Sequence, residues 1–171
     1  MKKTVIIAVC AALFAAGTAM AGGHGASWGY TGDKAPQFWG DLSPDYSVCK
    51  SGKNQAPIDI AGMTEAEISP ILFNYNSVPM DIVNNGHTVQ VNYAAGSTIT
   101  VDGNTYNLLQ LHFHTPSENT VKGHSFPMEA HLVHADADGN LAVVGVLFED
   151  GVANPFIESV WAHLPMSAGE H

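Results

Sequence analysis

Short runs of β-branched and other apolar residues, each followed by a turn sequence, dominate the chain from residue 58 onward. Several runs alternate apolar with polar side chains, as strands with one buried face do. The runs cover residues 71–73, 81–83, 88–91, 98–101, 108–113, 129–135 and 141–148. Because Asp-Gly is a preferred hairpin pair, we expect Asp102-Gly103 at the tip of a hairpin that leads into the 108–113 strand. The pattern predicts a mainly β domain.

Residues outside these strands predict one helix and one irregular segment. The helix covers residues 154–164, with Asn154 as N-cap, Pro155 at the first helical position and Pro165 just beyond its end. Residues 26–57 are rich in Gly, Pro, Ser and Asp, with aromatic residues between them. Such a composition is typical of an irregular segment held by aromatic side chains.

The first 21 residues have the composition of an export signal. They contain two basic residues, an apolar run too short to span a bilayer stably, and a small-x-small cleavage site: Lys2, Lys3, residues 5–16 and Ala19-Met20-Ala21. Cys10 lies inside the apolar run rather than after it, which argues against a lipoprotein anchor; an uncleaved membrane anchor is the alternative. We therefore expect one domain over residues 22–171, periplasmic or secreted, with no membrane attachment after cleavage.

The net charge of this domain limits the classes of partner that it can bind. Without Lys2 and Lys3, four basic residues remain against 16 acidic ones, which gives a net charge of −12. A surface of this sign repels nucleic acid and anionic lipid, so a small-molecule substrate is expected. The sequence does not predict an oligomeric state. Cys49 is the one cysteine left, which suggests a missing disulfide partner, an intermolecular bridge or a buried free thiol.

Three histidines on two of the predicted strands have the spacing of a metal site. Residues two apart on a strand point the same way, so His112 and His114 share a face while Phe113 points to the other. His131 on a neighbouring strand would complete a three-nitrogen ligand set. Catalytic zinc uses this set and keeps one position open for water. The alternative is three structural histidines near a sheet.

Polar residues accompany each candidate ligand. Gln110 lies two positions before His112 and Glu129 two before His131, so each shares its ligand's face and is placed to orient the ring. Cross-strand polar pairing on a half-wet face is the alternative. Glu118 is a further polar residue close to the ligands in sequence. Because it is charged and follows a Thr-Pro turn, it could also be simply solvated.

The remaining histidines divide by position. His87 begins a strand after Asn84-Asn85-Gly86, where a partly exposed imidazole can relay protons, although a surface role is the simpler interpretation. His134 should face away from His131 and is interpreted as structural. Surface or terminal positions are expected for His24, His124, His163 and His171.

Six segments, in order along the chain, resemble motifs of the α-class carbonic anhydrases, in particular the exported bacterial members. Residues 84–87 resemble the N-N-G-H segment, residues 110–118 the zinc strand, and residues 129–134 the segment with the third ligand. The other matches are residues 28–30 with W-x-Y, residues 52–60 with G-x-x-Q-S-P-I-x-I, where Ala56 replaces Ser, and residues 141–146 with the strand lining the apolar side of the CO2 pocket.

The resemblance implies a large, twisted, mostly antiparallel sheet with short peripheral helices. It also implies reversible hydration of CO2 to bicarbonate by zinc-bound hydroxide. By the same resemblance, zinc would be bound by His112, His114 and His131, and Gln110 and Glu129 would orient ligand rings. His87 would shuttle protons, and Glu118 would accept a hydrogen bond from the hydroxyl of a gatekeeping Thr. The CO2 site would be lined by Val133 and Val143.

Two departures accompany the resemblance. The family pattern continues past the predicted helix to an L-T-T-P-P-C segment, which supplies the gatekeeping Thr and the Cys that usually pairs at the position of Cys49. Because this sequence has no such segment, we expect a C-terminally truncated member that lacks the Thr for Glu118, the disulfide for Cys49 and one pocket wall. Asn119 replaces the His common after S-E, at a position interpreted as structural.

Two other functions compete with the enzyme. The missing segment suggests a non-catalytic, zinc-binding relic of the same fold. The spacing His112-x-His114-x-x-x-Glu118 suggests a cupin-like metalloprotein, in which Glu118 is a ligand of iron or manganese. The later cupin segment is poorly matched, and the other motifs argue against this third possibility.

Overall fold

A computed structural model describes residues 9–12 and 27–170 of the chain. His24, His171 and the predicted cleavage site lie outside the described residues, as does the predicted export signal apart from residues 9–12. The described residues form two compact units. One comprises residues 27–56, and the other comprises residues 57–170 together with residues 9–12.

The smaller unit consists of single helical turns joined by bends. Helices α1 (Trp39–Leu42) and α2 (Val48–Ser51) are accompanied by 3-10 turns at Gly32–Lys34, Pro36–Phe38 and Pro44–Tyr46. The rings of Trp28, Tyr30 and Trp39 meet edge to face, with centroids 5.1–5.8 Å apart, which confirms the aromatic clustering expected of this segment. Cys49 is exposed and is a free thiol.

The larger unit contains the described strands and one further helix. In chain order the strands are β1 (Val9–Ala12), β2 (Asp59–Ile60), β3 (Leu72–Asn74), β4 (Asp81–Asn84), β5 (Val89–Asn92), β6 (Thr98–Val101), β7 (Asn104–His114), β8 (Thr120–Val121), β9 (His124–Ser125), β10 (Met128–Ala135) and β11 (Leu141–Phe148). The helix, α3, covers Pro155–Trp161.

Antiparallel pairing builds the main sheet around β7. The strand order is β1-β11-β10-β7-β5-β4, and β6 pairs with both β7 and β3. A small second sheet joins β2, β8 and β9, with β2 and β8 parallel. The prediction of a mainly β, mostly antiparallel fold with short helices is therefore confirmed.

The apolar face of the central strands packs on α3. Leu111 and Phe113 of β7 and Ala130 of β10 belong to one buried cluster with Val160 of α3, whose exposed fraction is 0%. Trp161 meets Phe113 edge to face at a centroid distance of 5.0 Å. Burial of this apolar surface holds β7 and β10 together from one side, at roughly 25 cal/mol for each Å² removed from water. Strand alternation then directs the intervening side chains to the opposite face.

Helix α3 begins as predicted and ends earlier than predicted. The Asn154 side chain accepts hydrogen bonds from the backbone N–H groups of Phe156 (3.0 Å) and Ile157 (3.3 Å), which confirms the N-cap. After Trp161 the chain tightens, because the N–H of His163 donates to the carbonyl of Val160 (3.0 Å), and Pro165 has no N–H with which to resume the helix. No helix in the described part of the chain has both the length and the apolar character needed to cross a bilayer.

Strand β7 starts earlier than predicted. Asp102 and Gly103 have φ angles of 47° and 82°, as both central residues of a type I′ turn require, and they connect β6 to β7 as expected. The polar stretch 104–107 is part of the strand because it pairs with β6 along its whole length. Cross-strand pairing here overrides the low β-propensity of Asn.

Candidate metal centre

Adjacent strands β7 and β10 bring three histidines to one point. The pairing places His131 directly opposite His112, and His114 is two residues further along the same face of β7. One ring nitrogen from each residue lies within 4.8 Å of the other two. His131 is buried, whereas His112 and His114 are half-buried, so the cluster is shielded from bulk water without being sealed from it.

Burial favours the neutral form of the two imidazoles on β7. Desolvation, together with the neighbouring His114 and His131 rings, lowers the pKa of His112 to about 4. Desolvation and the His131 ring likewise lower the pKa of His114 to about 4. A neutral imidazole offers a lone pair to a metal ion, so both ligands are ready to bind at neutral pH without first losing a proton.

Gln110 sets the orientation of the His112 ring. Its Oε1 lies 2.8 Å from Nδ1 of His112. Because an amide oxygen only accepts hydrogen bonds, Nδ1 carries the proton and donates it. The lone pair of His112 is then on Nε2, the nitrogen left for a metal.

Glu129 sets the orientation of the His131 ring from a fully buried position. Its Oε1 lies 3.1 Å from Nε2 of His131, which leaves Nδ1 as the nitrogen available to a metal. Its Oε2 accepts hydrogen bonds from the backbone N–H groups of Glu118 (3.0 Å) and Asn119 (2.9 Å). Burial acts to raise the pKa of Glu129, but hydrogen bonds from His131 and Asn119 outweigh it and hold that pKa below its ordinary value. The group is therefore an ionised carboxylate at neutral pH.

Asn119 supports the same carboxylate, a role that its sequence position did not reveal. Its Nδ2 donates to Oε1 of Glu129 at 2.7 Å, and its Oδ1 accepts from the backbone N–H of Ile58 at 2.8 Å. The side chain thus ties the residue before β2 to the group that orients His131. The only signal in the sequence was the departure from the family's usual His.

Gly145 is a second residue whose role the sequence analysis missed. It lies opposite His131 in the β10–β11 ladder, and a Cβ added to it would stand 2.8 Å from Oε1 of Glu129. The Glu129 carboxylate therefore occupies space that only a glycine leaves open. A lone glycine inside an otherwise apolar strand is the signal that points to such close approach.

Glu118 faces the histidines rather than solvent. Its Oε2 lies 3.2 Å from Nε2 of His114 and 3.9 Å from Nδ1 of His131, and its side chain is only 21% exposed. The alternative of a merely solvated carboxylate is therefore wrong. Glu118 lies four residues after His114, and the turn that follows β7 brings the two side chains together.

His87 lies in an exposed turn that is fastened to β7. The Oδ1 of Asn85 accepts hydrogen bonds from the backbone N–H groups of His87 (2.9 Å) and Thr88 (3.0 Å). The Thr88 hydroxyl donates to the backbone carbonyl of Phe113 at 2.5 Å and accepts from its N–H at 3.3 Å. The turn is thus anchored to β7 at the residue between His112 and His114.

Two valines continue the surface that carries His131. Val133 and Val143 are paired across β10 and β11, both are partly buried, and Val133 shares the face of His131 by strand alternation. They form an apolar margin beside the histidine cluster.

The other described histidines lie apart from this cluster. His134 is fully buried, with Nδ1 3.2 Å from the Ala142 carbonyl and Nε2 2.8 Å from the Tyr75 hydroxyl, which confirms its structural interpretation. His124 and His163 are exposed, as predicted.

The donor set fits a zinc ion. Three imidazoles converge, and a fixed acceptor holds the remote nitrogen of two of them, as is usual for protein-bound zinc. His112, His114 and His131 are the residues that would hold the ion.

Comparisons with known proteins point to one family. The model of that family, described as eukaryotic-type carbonic anhydrase, matches residues 34–170. The carbonic anhydrase of Neisseria gonorrhoeae is 46% identical over 167 residues, which are 97% of this chain and 65% of that protein. The carbonic anhydrase of Pectobacterium carotovorum is 46% identical over 81% of this chain and 57% of its own length. The chain thus spans less than two thirds of the curated relatives that it matches.

Solved structures agree with this match. A hyperthermostable carbonic anhydrase identified from an active hydrothermal vent chimney is 55% identical, with a TM-score of 0.80 over 84% of this chain and 64% of that one. The α-carbonic anhydrase from Thermovibrio ammonificans, in complex with the inhibitor sulfanilamide, is 48% identical, with a TM-score of 0.81 over 85% of this chain and 66% of that one.

Replacing Gly145 with Ala is expected to weaken metal binding. The added Cβ would force the Glu129 carboxylate away from its position and release the His131 ring. Loss of such a supporting contact typically costs about 10–100-fold in metal affinity. Competition with a chelator measures the Zn²⁺ dissociation constant directly. Gly151→Ala is the matched control, because a Cβ there meets no heavy atom within 4 Å. Equal affinities in the two variants would show that Glu129 does not support the ligand.

Proposed function

The chain belongs to the eukaryotic-type, or α-class, carbonic anhydrase family, and from this premise we propose that it binds Zn²⁺ and interconverts CO2 and bicarbonate. The observation that carries the proposal is the convergence of His112, His114 and His131, with their ligand nitrogens within 4.8 Å of one another. The family match over residues 34–170 supports it independently.

The chain's own residues prepare the site for this reaction. A bound Zn²⁺ supplies Lewis acidity that lowers the pKa of a coordinated water from ~15.7 to ~7. Gln110 and Glu129 keep two imidazoles in the tautomers that present their lone pairs. Val133 and Val143 offer an apolar surface beside His131, which suits CO2 because the molecule has no net dipole and no proton to donate.

His87 completes the proposal as the group that passes protons to buffer. Hydration of CO2 releases a proton, which must leave the site before the next turnover. Histidine is the side chain best suited to exchange protons near neutral pH. His87 is exposed, and the neighbouring Thr88 hydroxyl bonds to the backbone of Phe113 next to His112, which supports this role.

A zinc-binding protein without turnover is the second candidate. The position of Glu118 favours it, because Oε2 lies 3.2 Å from Nε2 of His114, inside the histidine cluster. A CO2 hydration assay on the zinc-loaded chain separates the two functions.

Export of the chain is a further part of the proposal. The two lysines, the apolar run and the Ala19-Met20-Ala21 sequence support cleavage by a signal peptidase. N-terminal sequencing of the protein recovered from the periplasm or medium is expected to start at Gly22. Recovery of protein that still carries Lys2 and Lys3 from that fraction would contradict cleavage.

Replacing His114 with Ala is expected to abolish both bound zinc and CO2 hydration, because two imidazoles cannot hold the ion against competing buffer. Metal analysis of the purified protein and a stopped-flow hydration assay measure the two losses. His124→Ala removes an exposed imidazole of β9 and should leave both unchanged. Full activity in the His114 variant would rule out the assigned centre.

Replacing His87 with Ala is expected to slow hydration by about 100-fold or more at low buffer concentration, since proton transfer by a positioned group contributes on this scale. Added imidazole buffer should restore the rate, because a diffusible base replaces the lost side chain. The zinc content should stay at the wild-type value. His163→Ala, which also removes an exposed histidine, is the control. A rate that depends on neither His87 nor added imidazole would contradict the relay.

A further inference from the structure

Residues 165–170, which follow α3, lie against the turn that carries His87. In the described part of the main sheet β4 is the outer strand, and these residues contact Asn84, the last residue of β4. The backbone N–H of Asn84 donates to the carbonyl of Glu170 at 3.1 Å. The carbonyl of Asn84 accepts from the N–H of Gly169 at 2.7 Å. The main chain of Asn84 is therefore held from outside the sheet.

Asn84 passes this contact on to the turn. Its Oδ1 accepts a hydrogen bond from the N–H of Gly86 at 3.0 Å, and its Nδ2 donates to the carbonyl of Pro165 at 3.4 Å. Gly86 also lies next to Ala168, since a Cβ added to it would stand 3.6 Å from the Cβ of Ala168. The residue immediately before His87 is thus held by Asn84 and packed against the segment that follows α3.

The 165–170 segment is itself closed by internal hydrogen bonds. The carbonyl of Ser167 accepts from the N–H of Glu170 at 3.1 Å, and Oε2 of Glu170 accepts from the N–H of Ser167 at 2.9 Å. These bonds close a four-residue turn whose third residue, Gly169, has a φ of 86°. A positive φ at that position favours glycine. Alanine there would strain the turn without touching a neighbour, because a Cβ on Gly169 meets no heavy atom within 4 Å.

We propose that Asn84 is a positioning residue for the proton relay, and that the 165–170 segment holds it so that the backbone of His87 keeps its distance from the histidine cluster. The inference rests on the proposed function, because it requires His87 to relay protons. Thr88 is fastened to Phe113, so His87 is restrained on both sides along the chain. A proton relay works over hydrogen-bonding distances, directly or through water, so a backbone shift of about 1 Å is enough to slow it.

The test compares the wild type with Gly169→Ala and Asn84→Ala, each alone and combined with His87→Ala. Gly123→Ala is the matched control, because Gly123 also has a positive φ (77°), a Cβ there meets no heavy atom within 4 Å, and it lies between β8 and β9 of the small second sheet.

The measurements are zinc content, kcat and kcat/KM for CO2 hydration at low buffer concentration, and kcat with added imidazole. The ratio kcat/KM reports the steps from free enzyme and CO2 to the transition state, whereas proton transfer regenerates the site afterwards. Loss of positioning therefore lowers kcat alone.

We expect kcat at low buffer concentration to fall by about 10-fold in both single variants, with zinc content and kcat/KM at the wild-type values. Added imidazole should restore kcat, and the same substitutions should have no further effect in the His87→Ala background. Equal losses with and without His87, or equal losses in Gly169→Ala and Gly123→Ala, would show a purely structural role and overturn the inference.

Two further outcomes separate this inference from the proposed function. An unchanged kcat in both single variants, with His87→Ala slowed, would overturn the inference and leave the relay intact. If His87→Ala itself is not slowed, the relay in the proposed function is wrong, and the inference falls with it.

Discussion

The Glu129 carboxylate is the interaction on which the rest of the site depends. It is fully buried, yet His131, the Asn119 side chain and two backbone N–H groups satisfy both of its oxygens. A buried charge is tolerated only when it is paired and hydrogen-bonded in this way. The cost of burying it is therefore offset by contacts that also orient a ligand ring and fix the backbone of Glu118. The requirement for glycine at position 145 follows from the same carboxylate, because its oxygen occupies the space of a side chain.

Because side chains alternate along a strand, the residues that stabilise the sheet and the candidate metal ligands lie on opposite faces of it. On β7, Leu111 and Phe113 pack against α3, and the histidines between and beside them face the other way. The apolar cluster therefore holds β7 and β10 in register without contributing to the metal site, and the register is what sets His131 opposite His112. A slip of one residue would place the imidazoles in the core and Phe113 at the metal position, so the folded core and the ligand geometry are specified together.

Local patterns in the sequence predicted most of the long strands, the helix and the candidate ligands, whereas the mostly antiparallel sheet was implied by the family resemblance. Turn chemistry located the hairpin at Asp102-Gly103, capping preference located the start of α3, and period-two spacing placed His112 and His114 on one face. What the sequence could not reveal depends on contacts between distant segments. Asn119 meets Ile58 and Glu129 only in the folded chain, and the direction of the Glu118 side chain follows from a turn whose path has no periodic signal. The early start of β7 likewise depends on its pairing with β6, since Asn104 and Asn107 have low β-propensity.

The turn that carries His87 is anchored to β7, and this anchoring limits how the His87 ring can move. The Thr88 hydroxyl meets both the carbonyl and the N–H of Phe113, so the main chain beside His87 is pinned to the strand that holds two of the imidazoles. The exposed His87 ring then moves by rotation about its own bonds, which takes picoseconds to nanoseconds, rather than by the slower movement of a loop. On the proposed role of His87, proton delivery would then be paced by the arrival of buffer molecules rather than by an opening of the polypeptide.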